Sequence, residues 1–356
     1  MRHAERRPLW GLLAAMALGW CLLNPNSPTQ DAFQDHSHPA NDSAGSPAAQ
    51  ATRDEYALLF GGDVMLSRGV GARMEARADW DLPFREIAPT LRDADLRFCN
   101  LECPLSDRGD NQQHLYSFRA DPRALAGLQT AGFEVVSQAN NHSYDWGPAA
   151  LKDSLERLRA AGIRPVGAGE NALAAHYPVL VHLGDLRLAF LAYVNVDPKG
   201  AAAGVDRAGV AWLEPTQALA DIRFAKTLAD LVIVCPHWGT EYALQPDREQ
   251  VLLAHRMVAE GADLIVGSHP HVVQPLECYR GRWIAYSLGN FVFDQKNPAT
   301  HQGLLLKVTV RRKAIAEVMP IAIRINPSFQ PAPDSRAGRS PMPILEERGV
   351  RTVGAR

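Results

Sequence analysis

The stretch GADLIVGSHPHV, residues 261–272, decides how this chain folds, because a helix end, a strand and a polar loop follow one another within it. Gly261 follows residues 248–260, whose apolar side chains recur at helical spacing, and glycine commonly ends a helix. Residues 264–266 are a short apolar run typical of a buried strand. His269 and His271 come directly after that strand. A helix, a buried strand and a polar loop in succession are typical of an α/β fold.

The same unit recurs between residues 56 and 325. Hairpin-like turns at Gly184-Asp185 and Arg280-Gly281 indicate additional antiparallel strands. We therefore predict an α/β domain with two packed mixed β-sheets flanked by helices, a four-layer αββα arrangement. The further predicted helices span residues 125–130, 149–160 and 216–228. The predicted strands span 57–60, 96–99, 135–136, 231–235 and 264–266, and in a second group 179–182, 186–193, 272–279, 283–286 and 304–310.

The composition is that of a globular domain and gives no support to a nucleic-acid partner. The chain has 356 residues, of which 46% are hydrophobic, and this is enough for one large core. Its formal net charge is -2, so it has no basic surplus that would attract a phosphate backbone. We therefore predict that the chain binds no nucleic acid.

Both ends of the chain differ from the domain between them. Arg2, Arg6 and Arg7 precede an almost uncharged run, which indicates a signal peptide or membrane anchor over residues 1–24. These two alternatives stay open, and lipidation at Cys21 is a third. In the first two, the arginines stay in the cytoplasm and the domain crosses the membrane. Residues 25–55 are predicted to be a flexible linker, 56–325 the folded domain and 326–356 a disordered tail.

Polar residues follow five of the predicted strands at the point where each strand ends. Ligands in open α/β sheets bind outside the carboxyl ends of the strands, so we expect these side chains to meet in one crevice. Each cluster alone has a simpler explanation as a turn, a helix cap or a solvent-facing loop. Five such clusters together favour a common site. They are Asp63, Asn100 with Glu102, Asn140-Asn141-His142, His237, and His269 with His271.

The side-chain types in these clusters indicate a metal centre. Imidazole nitrogen with carboxylate and amide oxygen suits divalent manganese, zinc, iron or magnesium, and does not suit copper(I). One or two such ions activate a water at neutral pH and clamp the oxygens of a displacement at phosphorus. Hydrolysis is therefore the predicted chemistry. A thiol mechanism at Cys99 or Cys103 is a weaker alternative, because the sequence pairs neither cysteine with an obvious base.

Read together, six motifs resemble those of the CapA/PgsA family of bacterial capsule (poly-γ-glutamate) synthesis proteins, whose domain is similar to the calcineurin-like metallophosphoesterases. Their order and spacing hold over residues 57–294. Several motifs at once are specific, whereas one alone would be weak. They are GGDVML at 61–66, NLECPL at 100–105, ANNHS at 139–143, HWGTEY at 237–242, GADLIVGSHPHV at 261–272 and YSLGNFVF at 286–293.

The resemblance implies a metallophosphoesterase-like fold, one or two divalent ions and a role for each polar residue. His142 would be the catalytic residue that protonates the leaving oxygen. Four residues would support the ligands or contact the substrate, namely Asn100, Asn140, Glu241 and Asn290. The metal ligands would be Asp63 and His271 for one ion, Asn141, His237 and His269 for the other, and Glu102 between the two.

Two positions depart from the broader phosphoesterase pattern. Met65 stands where a second histidine ligand would be, and Glu102 stands where a shorter aspartate is usual. The capsule-synthesis family shares both departures, so they agree with membership of it. They argue against assuming a phosphate substrate.

Two functions follow from the resemblance. The first is a metal-dependent hydrolase of capsule or poly-γ-glutamate biosynthesis at the bacterial cell membrane, with its domain facing the periplasm or the extracellular side. The second is a non-catalytic, membrane-anchored partner of capsule synthase subunits, which binds or exports an anionic capsular polymer through the same cleft. The complete set of ligands favours the hydrolase, whose substrate would be an anionic polymer or another component of the envelope.

Overall fold

The protein has two large mixed β-sheets with helices outside them. The structure is a computed structural model and describes residues 53–196, 198–335, 342–346 and 349–353. The predicted signal or anchor segment, and residues 25–52 of the predicted linker, lie outside the described residues. Among the described residues, no helix combines the length and the apolar character needed to cross a membrane.

The bounds of the elements are as follows. The strands of the described chain are Glu55–Val64 (β1), Leu96–Leu101 (β2), Val135–Ser137 (β3), Arg164–Val166 (β4), Ala168–Gly169 (β5), Val179–Leu183 (β6), Leu186–Val194 (β7), Gly209–Val210 (β8), Leu231–His237 (β9), Leu264–Val266 (β10), Leu276–Tyr279 (β11), Arg282–Ala285 (β12), Asn290–Val292 (β13), Gln302–Arg311 (β14), Ala314–Ile325 (β15), Pro331–Pro333 (β16), Met342–Glu346 (β17) and Gly349–Val353 (β18). The α-helices are Arg68–Ala76 (α1), Ala88–Arg92 (α2), Leu125–Ala131 (α3), Gly147–Ala160 (α4), Ala172–His176 (α5), Pro215–Leu228 (α6) and Arg248–Ala259 (α7).

Each of the two large sheets has a parallel part and an antiparallel part. The first sheet has the order β16-β15-β14-β1-β2-β3-β4, with β13 also paired to β1. The second has the order β18-β17-β11-β12-β10-β9-β7-β6. The strands β1, β2, β3 and β4 are parallel to one another in the first sheet, and so are β7, β9, β10 and β12 in the second. The pairs β1–β14, β6–β7 and β11–β12 are antiparallel.

The main core lies between the two sheets. Side chains alternate along a strand, so Leu58 and Phe60 of β1 face this core while Leu59 faces the other side. The Phe98 ring on β2 stacks on the Phe190 ring on β7, with 5.9 Å between the ring centroids. This contact joins the first sheet to the second and buries two of the largest side chains of the domain.

Helices cover the outer face of each sheet. On the first sheet, Leu59 packs in one cluster with Met74 of α1 and Leu128 of α3. On the second, Val232 packs in one cluster with Ile222 of α6 and Met257 of α7. The order helix, sheet, sheet, helix confirms the predicted four-layer α/β architecture.

The predicted elements agree with the structure except at a few points. The four predicted helices are present within two residues of their expected ends, and Gly132 ends α3 with a φ of 76°. The predicted strand over residues 272–279 is a strand only from Leu276 onward. Strands of both predicted groups share the second sheet, because β9 and β10 lie between β7 and β12. Sheet membership depends on pairing between distant segments, which local apolar patterns do not specify.

Paired structure continues past residue 325, where the sequence places the domain end. Pro331–Pro333 pairs antiparallel with β15 at the edge of the first sheet, a position that tolerates proline. Gln330 is buried and donates to the carbonyl oxygen of Leu82 at 2.7 Å. These contacts use backbone groups and one amide side chain, so they leave no apolar periodicity for sequence analysis to detect.

Candidate metal centre

The predicted polar residues meet where parallel strands of both sheets end. On the first sheet, Asp63 of β1 is in register with Asn100 of β2 and with Asn290 of β13. On the second, His237 is the last residue of β9. The backbone nitrogen of His269, which follows β10, lies 3.4 Å from Asp63 Oδ2. The expected crevice therefore exists, and its two sides belong to different sheets.

Two asparagines orient the carboxylates. Asn100 Nδ2 donates to Asp63 Oδ1 at 2.8 Å and to Glu102 Oε2 at 3.2 Å. Asn140 Nδ2 donates to Asn100 Oδ1 at 3.1 Å and to the Leu101 carbonyl oxygen at 2.9 Å. Asn100 and Asn140 are both buried. Their amide groups are occupied by protein partners, so they hold the carboxylates in place and do not serve as ligands.

Asp63, Glu102 and His271 form a buried cluster whose ligand atoms lie within 4.8 Å of one another. His271 Nδ1 lies 2.9 Å from Asn290 Oδ1. Asn290 Nδ2 donates to Gln295 Oε1 and to the Thr300 carbonyl oxygen, which fixes Asn290 Oδ1 as the acceptor for His271. In the neutral ring this leaves a lone pair on His271 Nε2.

That lone pair faces a carboxylate oxygen. His271 Nε2 and Glu102 Oε1 are 3.6 Å apart, which is too long for a hydrogen bond. Glu102 Oε1 has no hydrogen-bond partner among the described residues. Two lone pairs held near each other in a buried site repel unless a proton or a metal ion lies between them.

The other predicted ligands lie beside this cluster. His237 Nε2 is 2.9 Å from Asn141 Oδ1, and the His237 and His269 ring centroids are 4.8 Å apart. His269 Nδ1 is buried without a hydrogen-bond partner in the described part of the chain. Glu241, which is exposed, forms a second group with His269 and His271 whose ligand atoms also lie within 4.8 Å.

The surroundings of His237 and His269 favour the neutral imidazole, which is the form that binds a metal ion. Burial lowers the pKa of His237 well below its ordinary value, and neighbouring histidines add to the effect. Burial, followed by the charge of His271, lowers the pKa of His269 to about 3. Both rings are therefore neutral at pH 7. Burial, followed by the nearby Asp63 carboxylate, raises the pKa of Glu102 well above its ordinary value.

The residues present fit one or two divalent ions. Buried polar groups are nearly always satisfied, yet Glu102 Oε1 and His269 Nδ1 are not satisfied by the described chain. A divalent cation at each ligand group would satisfy them, and the cation beside Asp63 and Glu102 would offset the repulsion between their carboxylates. The oxygen and nitrogen donors are those that manganese, zinc, iron and magnesium accept.

His142 lies at the edge of the cluster with a partner that the sequence does not predict. His142 Nδ1 is 2.7 Å from Asp145 Oδ2, and its Nε2 is 4.0 Å from Glu102 Oε1. The ring stacks on Phe118 with centroids 3.8 Å apart. Asp145 is fully buried and also accepts from the Phe118 backbone nitrogen at 2.7 Å. The spacing of Asp145 three residues after His142 was the available signal, and it is weak without the turn geometry.

A cavity of about 510 Å³ opens above the cluster. His142, His271 and Glu241 are among the residues that line it. Other lining residues include Arg68 and Phe118, which the sequence does not identify. A substrate group in this cavity could touch the predicted proton donor His142 and one predicted metal ligand, His271.

Met65, Cys99 and Cys103 supply no catalytic group here. The Met65 sulfur accepts from the backbone nitrogen and the hydroxyl of Ser67, both at 3.1 Å. Burial raises the pKa of Cys103 to about 12 and the pKa of Cys99 well above its ordinary value. Both thiols are therefore protonated at neutral pH, which argues against the thiol mechanism.

Glu102→Gln is expected to stabilise the metal-free protein at pH 7 while weakening metal binding. The folded-state pKa of Glu102 is raised, so its contribution to stability is present below its unfolded value of 4.5 and is lost as the pH rises. A glutamine is neutral, and its amide nitrogen can donate to His271 Nε2. Urea unfolding in the presence of a chelator should show a gain of about 1–3 kcal/mol at pH 7.

The same measurement supplies its own checks. The gain should shrink below pH 4.5, where the unfolded glutamate is also protonated. Added manganese should stabilise the parent more than the variant. Glu86→Gln, at an exposed carboxylate, should change nothing in either condition. A metal-free Glu102→Gln protein less stable than its parent would show that the carboxylate has a protein partner in solution.

The chain is similar to proteins of bacterial capsule synthesis. The model of the family described as "Bacterial capsule synthesis protein PGA_cap" matches residues 57–295. The chain is 35% identical to the capsule biosynthesis protein CapA of Bacillus anthracis over 294 residues, covering 79% of this chain and 71% of that protein. It is 33% identical to the PGA biosynthesis protein CapA of Bacillus subtilis over 302 residues, covering 83% and 78%. A crystal structure of a hypothetical protein from Thermus thermophilus aligns with a TM-score of 0.49 and 17% identity, covering 75% of this chain and 98% of that one.

Proposed function

Since the chain belongs to the PGA_cap family of bacterial capsule synthesis proteins, we propose that it is a metal-dependent hydrolase acting on an anionic polymer of the capsule or another envelope component. The observation that carries this proposal is the group of buried ligand atoms without protein partners, Glu102 Oε1 and His269 Nδ1, beside the lone pair of His271 Nε2. Such atoms are costly in a folded domain unless a ligand satisfies them. The relatives are named for capsule and PGA biosynthesis, which supports the polymer as the substrate class.

Each residue of the cleft has a definable part in hydrolysis. Asp63, Glu102 and His271 would hold one divalent ion, and Asn141, His237 and His269 a second. Bound there, the ions would supply an activated water and polarise the bond to be cleaved. His142 would give a proton to the leaving group through Nε2, since its Nδ1 pairs with Asp145 and the residue lines the cavity.

The proposal includes a location outside the cytoplasm, at the bacterial cell membrane. Its support is the run of arginines followed by apolar residues at the start of the sequence. Exposure of the domain to protease added to intact spheroplasts tests this. Protection from protease until the membrane is dissolved would contradict it.

A second candidate function is a non-catalytic partner of membrane-bound capsule synthase subunits. Met65 favours it, because its sulfur is engaged by Ser67 at the position where the broader phosphoesterase pattern has a histidine ligand. In that case the cleft would bind an anionic chain without cleaving it. Polymer binding without turnover in the metal-loaded protein would favour this alternative.

Metal content is expected to depend on the histidines of the cleft. The full-length protein purified without chelator should contain about one or two equivalents of a divalent metal by elemental analysis. His269→Ala and His271→Ala should each lose most of it, because each removes a ligand from a buried group. His182→Ala, at an exposed histidine of β6, is the matched control and should retain the metal. Absence of metal from the parent after manganese, zinc and iron supplementation would overturn the hydrolase.

A further inference from the structure

Arg68 lines the cavity close to the proposed proton donor. Its guanidinium carbon lies 4.5 Å from the ring centroid of Phe118, the ring on which His142 stacks. It also lies 5.8 Å from the ring centroid of Phe293, another residue of the cavity wall. The aromatic rings therefore hold a positive charge beside His142.

Most hydrogen-bond donors of Arg68 are available to a ligand. Its guanidinium pairs with Asp294 and makes no other hydrogen bond within the described part of the chain. Arg97 is different, because its three guanidinium nitrogens donate to Glu134 and to four backbone carbonyl oxygens. A guanidinium has five N–H donors. Arg97 uses its donors to hold the protein together, whereas most of the donors of Arg68 have no protein partner among the described residues.

The backbone of Arg68 has a positive φ, a feature that it shares with three other residues of the cleft. Its φ is 48°, in the left-handed region that favours glycine. Ten non-glycine residues of the described chain have a positive φ, and four of them line the cleft: Arg68, Tyr242, His269 and His271. Strain of this kind clusters where a side chain must be held for function.

Asp294 fixes the direction of the Arg68 side chain. Its Oδ1 pairs with the guanidinium, and its Oδ2 accepts from the Gly69 backbone nitrogen at 2.9 Å. Both carboxylate oxygens are thus committed to the segment that carries Arg68. Lys296, exposed on the same cavity wall, adds a second positive charge.

We propose that Arg68 binds an anionic group of the substrate, a carboxylate or a phosphate, in the cavity beside His142, with Asp294 as its positioning residue. A planar guanidinium binds both groups through two parallel hydrogen bonds. The inference rests on the proposed function, because it names the group that the same cleft recognises. It assigns substrate recognition to a residue outside the predicted metal ligands.

Ligand binding to the full-length protein tests this inference. The probes are a γ-linked glutamate oligomer, which presents carboxylates, and inorganic phosphate, each titrated by calorimetry into manganese-loaded protein. Arg68→Gln should raise the Kd of at least one probe about tenfold or more, since hydrogen bonds to charged groups contribute that much to affinity. Arg68→Lys, which keeps the charge without the planar fork, should recover part of the loss. Arg73→Gln, on the same helix and near the Phe329 ring, is the control and should leave both Kd values unchanged.

The results distinguish a carboxylate from a phosphate as the bound group, and both from a failed proposal. A weaker oligomer affinity in Arg68→Gln assigns the site to polymer carboxylates, and a weaker affinity for phosphate alone assigns it to a phosphate group. Unchanged Kd values for both probes, or no binding of either probe to the parent, would overturn the proposal. Metal content and thermal unfolding are measured on each variant. A parent protein that binds no metal would refute the proposed hydrolase and not the role of Arg68. A lowered Tm of Arg68→Gln with unchanged Kd values would give Arg68 a structural role only.

Discussion

Replacing His142 with asparagine is expected to lower turnover of a phosphodiester with an alkoxide leaving group, which needs a proton to depart, by about 10²- to 10⁴-fold, the range over which a positioned general acid acts. Bis(4-nitrophenyl) phosphate serves as the comparison, because its nitrophenolate leaves without a proton and its turnover should therefore fall much less. Asparagine keeps a polar side chain against Phe118 but has no ring nitrogen to give a proton. Metal content should stay that of the parent, because the proposed ligands are other residues.

The control for this substitution is His176→Asn. His176 also pairs with a buried aspartate, with Nδ1 2.8 Å from Asp221 Oδ2, and has a similar exposure of 14% against 12% for His142. It does not line the cavity. Turnover of His176→Asn should equal that of the parent. A loss seen only in His142→Asn would then not come from breaking a buried histidine–aspartate pair in general. If His142→Asn loses metal in proportion to activity, His142 is a ligand; if it keeps full turnover, another group supplies the proton.

Gly62→Ala is expected to destabilise the fold by about 3 kcal/mol, at the upper end of the ordinary cost of overpacking. A Cβ at this position would lie 1.9 Å from the Gly289 carbonyl oxygen, which is backbone and has no side-chain freedom to move away. The same carbonyl oxygen accepts from the Asp63 backbone nitrogen at 3.0 Å. The substitution would therefore separate β1 from the segment that carries Asn290 and should also reduce metal content.

Urea unfolding followed by tryptophan fluorescence measures the effect. Gly200→Ala is the matched control, since a Cβ there would meet no atom within 4 Å and the residue is exposed. We expect its unfolding free energy to stay within about 0.5 kcal/mol of the parent. Equal midpoints for Gly62→Ala and the parent would show that β1 and β13 are further apart in solution than in this structure.

The candidate site residues could be identified from the sequence because each of these polar residues follows the end of a predicted strand. His269 and His271 follow a short apolar strand, and Asp63 follows another, so strand ends alone brought them together. Their contacts could not be found in this way. Whether Glu102 has a free oxygen depends on Asn100, Asp63 and His271 around it, and these come from separate strands and loops.

Asp145, Phe118 and Arg68 were missed for a related reason. Asp145 is one of many acidic residues in the chain, and only the turn after β3 brings its carboxylate to His142 Nδ1. Phe118 is an apolar residue of the kind that usually lies in a core. It becomes part of the site because His142 and Arg68 both lie against its ring. Arg68 gives no sequence signal, since an arginine at the start of a helix is usually solvated.

Local patterns in the sequence predict the α/β class, four of the seven α-helices and ten of the eighteen strands of the described chain, and the polar residues at the strand ends, because these depend on the periodicity and the turn chemistry of neighbouring residues. Tertiary packing sets how the strands divide between two sheets, which carboxylate and imidazole atoms lack partners among the described residues, and that Arg68 lines the cavity. Strand pairing and burial bring together residues far apart in the chain, such as Asp63 and Asn290. Hydrogen-bond satisfaction is a property of that packing, and no local pattern specifies it.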